Sequence, residues 1–244
     1  MLKPTHFYFP KIADILTQYH KGPYHRQPAG QVLSQTASQT TILAAIAFVL
    51  GLKDPYTVGH VHRVSDYAGR LATRLGLAPD EVNDIILGGL LHDVGKIGFS
   101  DQIFRHTDGH LSEEMLSEVR RHPAMGKTFL QQFNFAPHIL EYVLYHHERV
   151  DGGGYPCGLK ADEIPIGAKI ISVADCFDAI VTDRPYQKRK GLFEALATLE
   201  YLGGKYLCPD IVRMFTADIL KHGKIRTPTT GHHPLRIGLD MKGH

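Results

Sequence analysis

The chain has 244 residues, 43% apolar and 21% charged, with a formal net charge of +2. This is ordinary globular composition, which excludes a disordered, collagen-like or disulfide-stapled chain. The charge is unevenly spread, with both ends basic and residues 36–204 acidic; an acidic middle argues against a nucleic-acid polymer as partner and suits carboxylates balanced by bound cations.

Residues 1–35 show only a weak apolar segment near Ile12 to Leu16 and read as an N-terminal extension, partly helical or flexible. No apolar stretch of the kind found in secretory signals follows Lys3, and Cys157, Cys176 and Cys208 form no C-x-x-C pair. Both features point to a reducing, cytoplasmic setting. The longest unbroken apolar run, Ile42 to Leu50, is far short of the roughly 20 residues a membrane-spanning helix needs.

From there apolar residues recur at helical spacing, as in Val61/Val64/Ala68/Leu71/Leu75 and Val82/Ile85/Ile86/Leu90, and strand-like alternation is absent. The pattern predicts helices near 37–52, 58–75, 80–93, 112–121, 124–133, 137–147, 166–182, 193–203 and 210–222. Thr57 is placed at an N-cap, Pro79-Asp80-Glu81 and Ser112-Glu113-Glu114 are acidic openings, and Gly95 and Gly223 follow helical stretches. The expected fold is all-α, a helical domain over residues 36–223 followed by a basic flexible tail, 224–244. The segment Glu148 to Gly158 is too rich in glycine for helix or sheet, and long ordered loops are usually functional.

Sixteen histidines against no tryptophan make histidine placement informative. His60, His92, Asp93, His122, His146, His147 and Asp175 are strung out so that successive groups lie one or two helices apart. Asp175 falls inside the apolar stretch Ile170 to Phe177. Burying an unpaired carboxylate there costs several kcal/mol, so it needs a hydrogen-bond network or a metal. Singly, each residue has an ordinary reading: a helix C-terminal histidine at His92, a structural ion pair at Asp175, a polar helix end at His146-His147, a helix boundary at His122-Pro123. A ligand set at these separations converges only in a folded bundle.

Taken in order, His92-Asp93-Val94-Gly95-Lys96-Ile97-Gly98, His122-Pro123, His146-His147-Glu148, Asp151-Gly152-Gly153-Gly154-Tyr155-Pro156, Val173-Ala174-Asp175 and Arg184-Pro185-Tyr186 resemble the HD-GYP subgroup of the HD phosphohydrolase superfamily, over roughly residues 40–215. The resemblance implies an HD-domain helical bundle with a Gly-Tyr-Pro loop over a metal centre that hydrolyses cyclic di-GMP to linear pGpG and on to GMP. It implies that His60, His92, Asp93 and Asp175 hold one metal, and that Asp93 bridges to a second held by His122, His146 and His147. A nitrogen and oxygen donor set without thiolate favours two divalent ions of iron or manganese. On the same resemblance Asp93 and Lys96 are the catalytic residues, Lys96 being placed to reach a phosphate oxygen. Asp151, Gly154, Tyr155, Pro156, Asp178 and Arg184 join Lys96 in binding substrate, with Asp178 either contacting substrate or lying behind the ligands.

The chain departs from the family pattern at Tyr56, where some members carry a glutamate for a third metal, at Gln187, where many have a basic residue, and at Leu207-Cys208-Pro209, usually Phe-Asp-Pro. Two metals are therefore expected. Three functions stay open: hydrolysis of cyclic di-GMP, hydrolysis of another cyclic dinucleotide such as cyclic GMP-AMP, and a non-catalytic module binding a cyclic dinucleotide or a GGDEF-domain protein. An oligomer is compatible with each.

Overall fold

The computed structural model describes residues 45–46, 49–50, 55–105, 111–133, 135–183 and 188–222. The expected extension 1–35, the tail 224–244 and Gly223 lie outside them. Among the described residues the structure is helical and without strands: α1 (Pro55–Arg74), α2 (Pro79–Leu91), a 3-10 turn (Val94–Gly98), α3 (Asp101–Arg105), α4 (Glu113–Arg120), α5 (His122–Leu130), α6 (Pro137–Tyr145), a second 3-10 turn (Ala161–Glu163), α7 (Ile166–Val181), α8 (Leu192–Leu202) and α9 (Pro209–His222). Residues 45–46 and 49–50, within the helix expected over 37–52, are also helical.

The expected all-α class holds, and the differences lie at helix ends. Helix α1 already runs through residues 55 and 56, so Thr57 lies inside the helix and is not its N-cap. Gly95 does not follow a helix but sits within the 3-10 turn that Asp93 opens. Helix α5 starts at His122 and not at 124, because Pro123 is tolerated where the first N–H groups have no helical partner. The openings of α2 and α4 form as their sequences suggest: Glu81 accepts the Ala78 N–H at 3.2 Å, and Ser112 Oγ accepts the Met115 N–H at 3.3 Å.

Helix α7 is the centre of the fold. Twelve of its residues are buried, from Gly167 to Val181, as befits a helix that is apolar nearly all round. It packs against α1, α2, α6, α8 and α9. On the side of α1, α8 and α9, Tyr67, Phe177 and Phe215 meet edge to face, with ring centroids 5.0–6.0 Å apart. A second apolar cluster, including Leu87, Leu91, Val94, Leu130, Ile139 and Val143, joins α2, α5 and α6.

The 3-10 turn after α2 lies hard against the start of α5, and glycine is what permits it. A Cβ on Gly95 would come 1.9 Å from the His122 carbonyl oxygen and 2.7 Å from the Gly126 nitrogen. This approach brings Asp93 beside His122. Gly95→Ala is expected to destabilise the protein by about 1–3 kcal/mol in urea unfolding, the cost of overpacking. Gly191→Ala, where the added carbon meets nothing within 4 Å, should stay within about 0.5 kcal/mol of the parent.

Candidate metal centre

Seven side chains from five helices and one connecting turn converge between the two apolar clusters. His60 comes from the first turns of α1, His92 from the C-cap of α2, Asp93 from the residue after it, His122 from the first position of α5, His146 and His147 from the end of α6, and Asp175 from the middle of α7. Ligand atoms of His60, His92 and Asp93 lie within 4.8 Å of one another, and so do those of His122, His146 and His147. These are the two groups the motifs implied. Asp175 joins the first, its Oδ1 3.1 Å from His60 Nε2.

Asp93 stands between the groups. Its Oδ2 lies 3.7 Å from His60 Nε2 and 3.4 Å from His92 Nε2, while its Oδ1 lies 3.4 Å from His122 Nε2. Lys96 Nζ donates to Asp93 Oδ2 at 2.5 Å. Burial alone would raise the Asp93 pKa, but the Lys96 ammonium and the surrounding imidazoles hold it well below the usual carboxylate range.

The tautomers follow from the hydrogen bonds behind the ligands. His92 Nδ1 donates to the Gly89 carbonyl at 2.8 Å, His122 Nδ1 to Val119 at 2.7 Å, and His146 Nδ1 to Val143 at 2.7 Å. Each ring, neutral with Nδ1 protonated, turns a bare Nε2 lone pair into the centre. Burial pushes the His122 pKa down to about 3 and that of His147 to about 4, and lowers His92 and His146 as well. At neutral pH these are unprotonated bases.

Such lone pairs need a cation. His122 Nε2 and His146 Nε2 are 3.3 Å apart, a distance at which two bare acceptors repel. His92 Nε2 is buried with no hydrogen-bond partner, a costly state for a polar atom. His60 shows the same demand differently: burial pulls its pKa down, but hydrogen bonds to Asp175 and Asp178 outweigh that and raise it to about 9. Positive charge is favoured between His60, Asp93 and Asp175. The donor set of imidazole nitrogens and carboxylate oxygens therefore fits divalent metal ions.

Asp178, expected as a substrate contact or as a residue behind the ligands, has the placement of the latter. It is fully buried, accepting from His60 Nδ1 at 2.8 Å and from Arg63 Nε and Nη2 at 2.6 and 3.0 Å. A side chain with both oxygens occupied in the interior is not presented to a substrate. Arg63 escaped the sequence reading because one arginine on an amphipathic helix looks like a solvated residue; its three-residue offset from His60, one helical turn, was the available signal.

The glycine-rich loop lies beside His147. The Tyr155 ring stacks on that imidazole, centroids 4.9 Å apart at 30°. Glu148 clamps the loop, its buried carboxylate accepting the Cys157 N–H at 2.6 Å and the Leu159 N–H at 2.9 Å. Gly154 is pressed against the chain behind it, where a Cβ would meet the Arg149 nitrogen at 2.3 Å. Asp151, another expected substrate contact, pairs with Arg149 and accepts the Gly153 N–H. Pro156 follows Tyr155 on the same loop. Arg184, with Pro185, Tyr186 and Gln187, lies outside the described residues.

A family model described as HD domain matches residues 45–211. The chain belongs to the HD domain family. Within it, this HD domain carries the ordered motifs of the HD-GYP proteins. A Thermotoga maritima protein named a cyclic di-GMP phosphodiesterase is 39% identical over 177 residues, which is 71% of this chain and 48% of that protein. The Vibrio cholerae 3'3'-cGAMP-specific phosphodiesterase 3 is 35% identical over 159 residues, 65% of this chain and 34% of its own. The HD domain chain thus spans less than half the length of these curated relatives. Among solved structures, the HDG"Y"P protein Bd1817 from Bdellovibrio bacteriovorus shares the fold, with a TM-score of 0.58 at 21% identity, covering 87% of this chain and 70% of that one.

Because Asp178 fixes the His60 tautomer, Asp178→Asn should weaken the affinity for one divalent ion by about ten- to a hundredfold. Equilibrium dialysis against manganese reads this directly; unchanged affinity would mean that the His60 orientation is set elsewhere.

Proposed function

We propose that this HD domain is a metal-dependent phosphodiesterase acting on cyclic di-GMP and giving linear pGpG, with GMP as a further product. The single observation that carries the reading is the complete ligand set, split into two groups by the two oxygens of Asp93. The names of the curated relatives support the substrate class.

His60, His92, Asp93 and Asp175 would hold one ion and His122, His146 and His147, with Asp93, the other; iron or manganese suits this donor set. Two such ions supply charge neutralisation for the phosphodiester and lower the pKa of water to near neutrality, so that a nucleophile is available. In the reaction the oxygen of water joins phosphorus, the bond from phosphorus to the 3′ oxygen breaks, and a 5′-phosphate and a 3′-hydroxyl result.

The chain's own residues hold the site in readiness for that change. Burial keeps the imidazoles of His92, His122, His146 and His147 neutral, and the Asp93 carboxylate stays ionised beside Lys96. The Lys96 ammonium, only 13% exposed, adds positive charge where a phosphate oxygen would approach. Asp151, Gly154, Tyr155, Pro156 and Arg184 are proposed to line the substrate side; the position of the loop beside His147 supports this for the first four. A cytoplasmic setting agrees with the absence of any disulfide joining Cys157, Cys176 and Cys208. No helix among the described residues is long and apolar enough to cross a membrane.

Cyclic GMP-AMP is the second reading, favoured by the cGAMP-specific relative. Turnover of both dinucleotides by the same manganese-loaded preparation separates the two. Asp93→Ala should abolish hydrolysis of either while circular dichroism stays helical, because the loss is of turnover rather than of substrate affinity alone. Full activity in this variant would exclude the centre as catalytic.

A further inference from the structure

The five imidazoles are not equally supported. His92, His122 and His146 are each pinned by an Nδ1 hydrogen bond to a carbonyl three residues earlier, and His60 by Asp178. His147 differs: besides the longer-range attraction of Asp175 and Asp93, its ring is held by ring contacts. They run to His122 at 5.0 Å and 82°, to His146 at 4.1 Å and 43°, and to Tyr155 at 4.9 Å and 30°. The first two partners belong to the same ligand group and carry lone pairs of their own. Tyr155 alone lays a ring face on His147 from outside the group.

That ring is itself firmly placed. The Tyr155 N–H donates to the His147 carbonyl at 3.2 Å. On either side of it, Gly154 is packed against Glu148 and Arg149, and the Glu148 carboxylate gathers the N–H groups of Cys157 and Leu159. Glu148 is also the residue after His147, so one short stretch carries the ligand, the clamp and the stacked ring.

We propose that Tyr155 is a positioning residue of the metal centre, its ring face orienting the His147 imidazole and its loop held in place by Glu148. This rests on the reading of His122, His146 and His147 as a metal-holding group. The two halves of the centre then differ in kind. The half built on His60, His92, Asp93 and Asp175 is set by hydrogen bonds within and between helices, whereas the half that includes His147 depends on the loop. A metal ligand whose orientation depends on an outer partner loses affinity when that partner is removed. A flat ring can hold an imidazole by stacking, and a branched aliphatic side chain of lower bulk cannot reproduce that face.

Equilibrium dialysis of the full chain against manganese, with metal quantified, tests the proposal without reference to turnover. The parent and Tyr155→Phe, which keeps the ring, are expected to bind two ions per chain with the same pair of affinities. Tyr155→Leu is expected to keep one ion as tightly and to bind the second at least tenfold more weakly. A Tyr155→Leu protein that binds both like the parent overturns the proposal, and so does a Tyr155→Phe protein that loses the second ion, since the hydroxyl would then be the determinant. A parent that binds fewer than two ions overturns the two-metal reading and the proposal with it. Should Tyr155→Leu fail to fold, Glu148→Gln, which keeps the tyrosine but replaces one of the two oxygens that hold its loop by an NH2 group, has to weaken the second ion alone; affinities for both ions equal to those of the parent overturn the proposal.

Discussion

The structure depends on a repulsion that the folded chain accepts. Three neutral imidazoles, each buried and committed at Nδ1 to a backbone carbonyl, turn bare Nε2 atoms toward one another. The carboxylates of Asp93 and Asp175 share that burial. Lys96 on Asp93 and His60 on Asp175 offset part of the cost, but buried lone pairs such as His92 Nε2 cost free energy unless a cation meets them. Packing elsewhere must carry that cost. It comes from α7, buried along most of its length, and from the aromatic triangle of Tyr67, Phe177 and Phe215 beside it. The same helix thus supplies apolar core on several sides and Asp175 and Asp178 to the centre.

Helix ends complete the arrangement. His92 and His146 are the C-caps of α2 and α6, where the partial negative charge of the helix favours cations. His122 opens α5 and reaches Asp93 only because Gly95 lets the intervening turn lie on the α5 backbone. Lys96, on that turn, supplies a fixed positive charge against Asp93 before any ion arrives. The result is a site whose charge balance is prepared on one side by protein and calls for divalent ions on the other.

The candidate ligands were legible in the sequence through the resemblance of its ordered motifs, since residue by residue each histidine and carboxylate has an ordinary structural reading. Asp175 was the exception, because a carboxylate within Ile170 to Phe177 needs a partner. Spacing could not show which oxygen of Asp93 faces which group, since that is set by the close approach at Gly95. Helix ends are less legible in the sequence. Thr57 has the hydroxyl of an N-cap, but the helix already includes residues 55 and 56. For Asp178, one turn past Asp175, the sequence leaves open a substrate contact or a place behind the ligands, and its burial against Arg63 and His60 favours the second. Glu148 was visible only as part of His146-His147-Glu148. Its work on the N–H groups of Cys157 and Leu159 arises from the way the loop folds back, which local pattern does not encode.

The central claim is that Asp93 joins two metal positions. Anomalous X-ray diffraction from crystals of the manganese-loaded protein tests it most directly. The expected result is two peaks per chain, one within bonding distance of each Asp93 oxygen, the first also touching His60, His92 and Asp175 and the second His122, His146 and His147. A single peak, or two peaks of which neither or only one touches Asp93, would contradict the account.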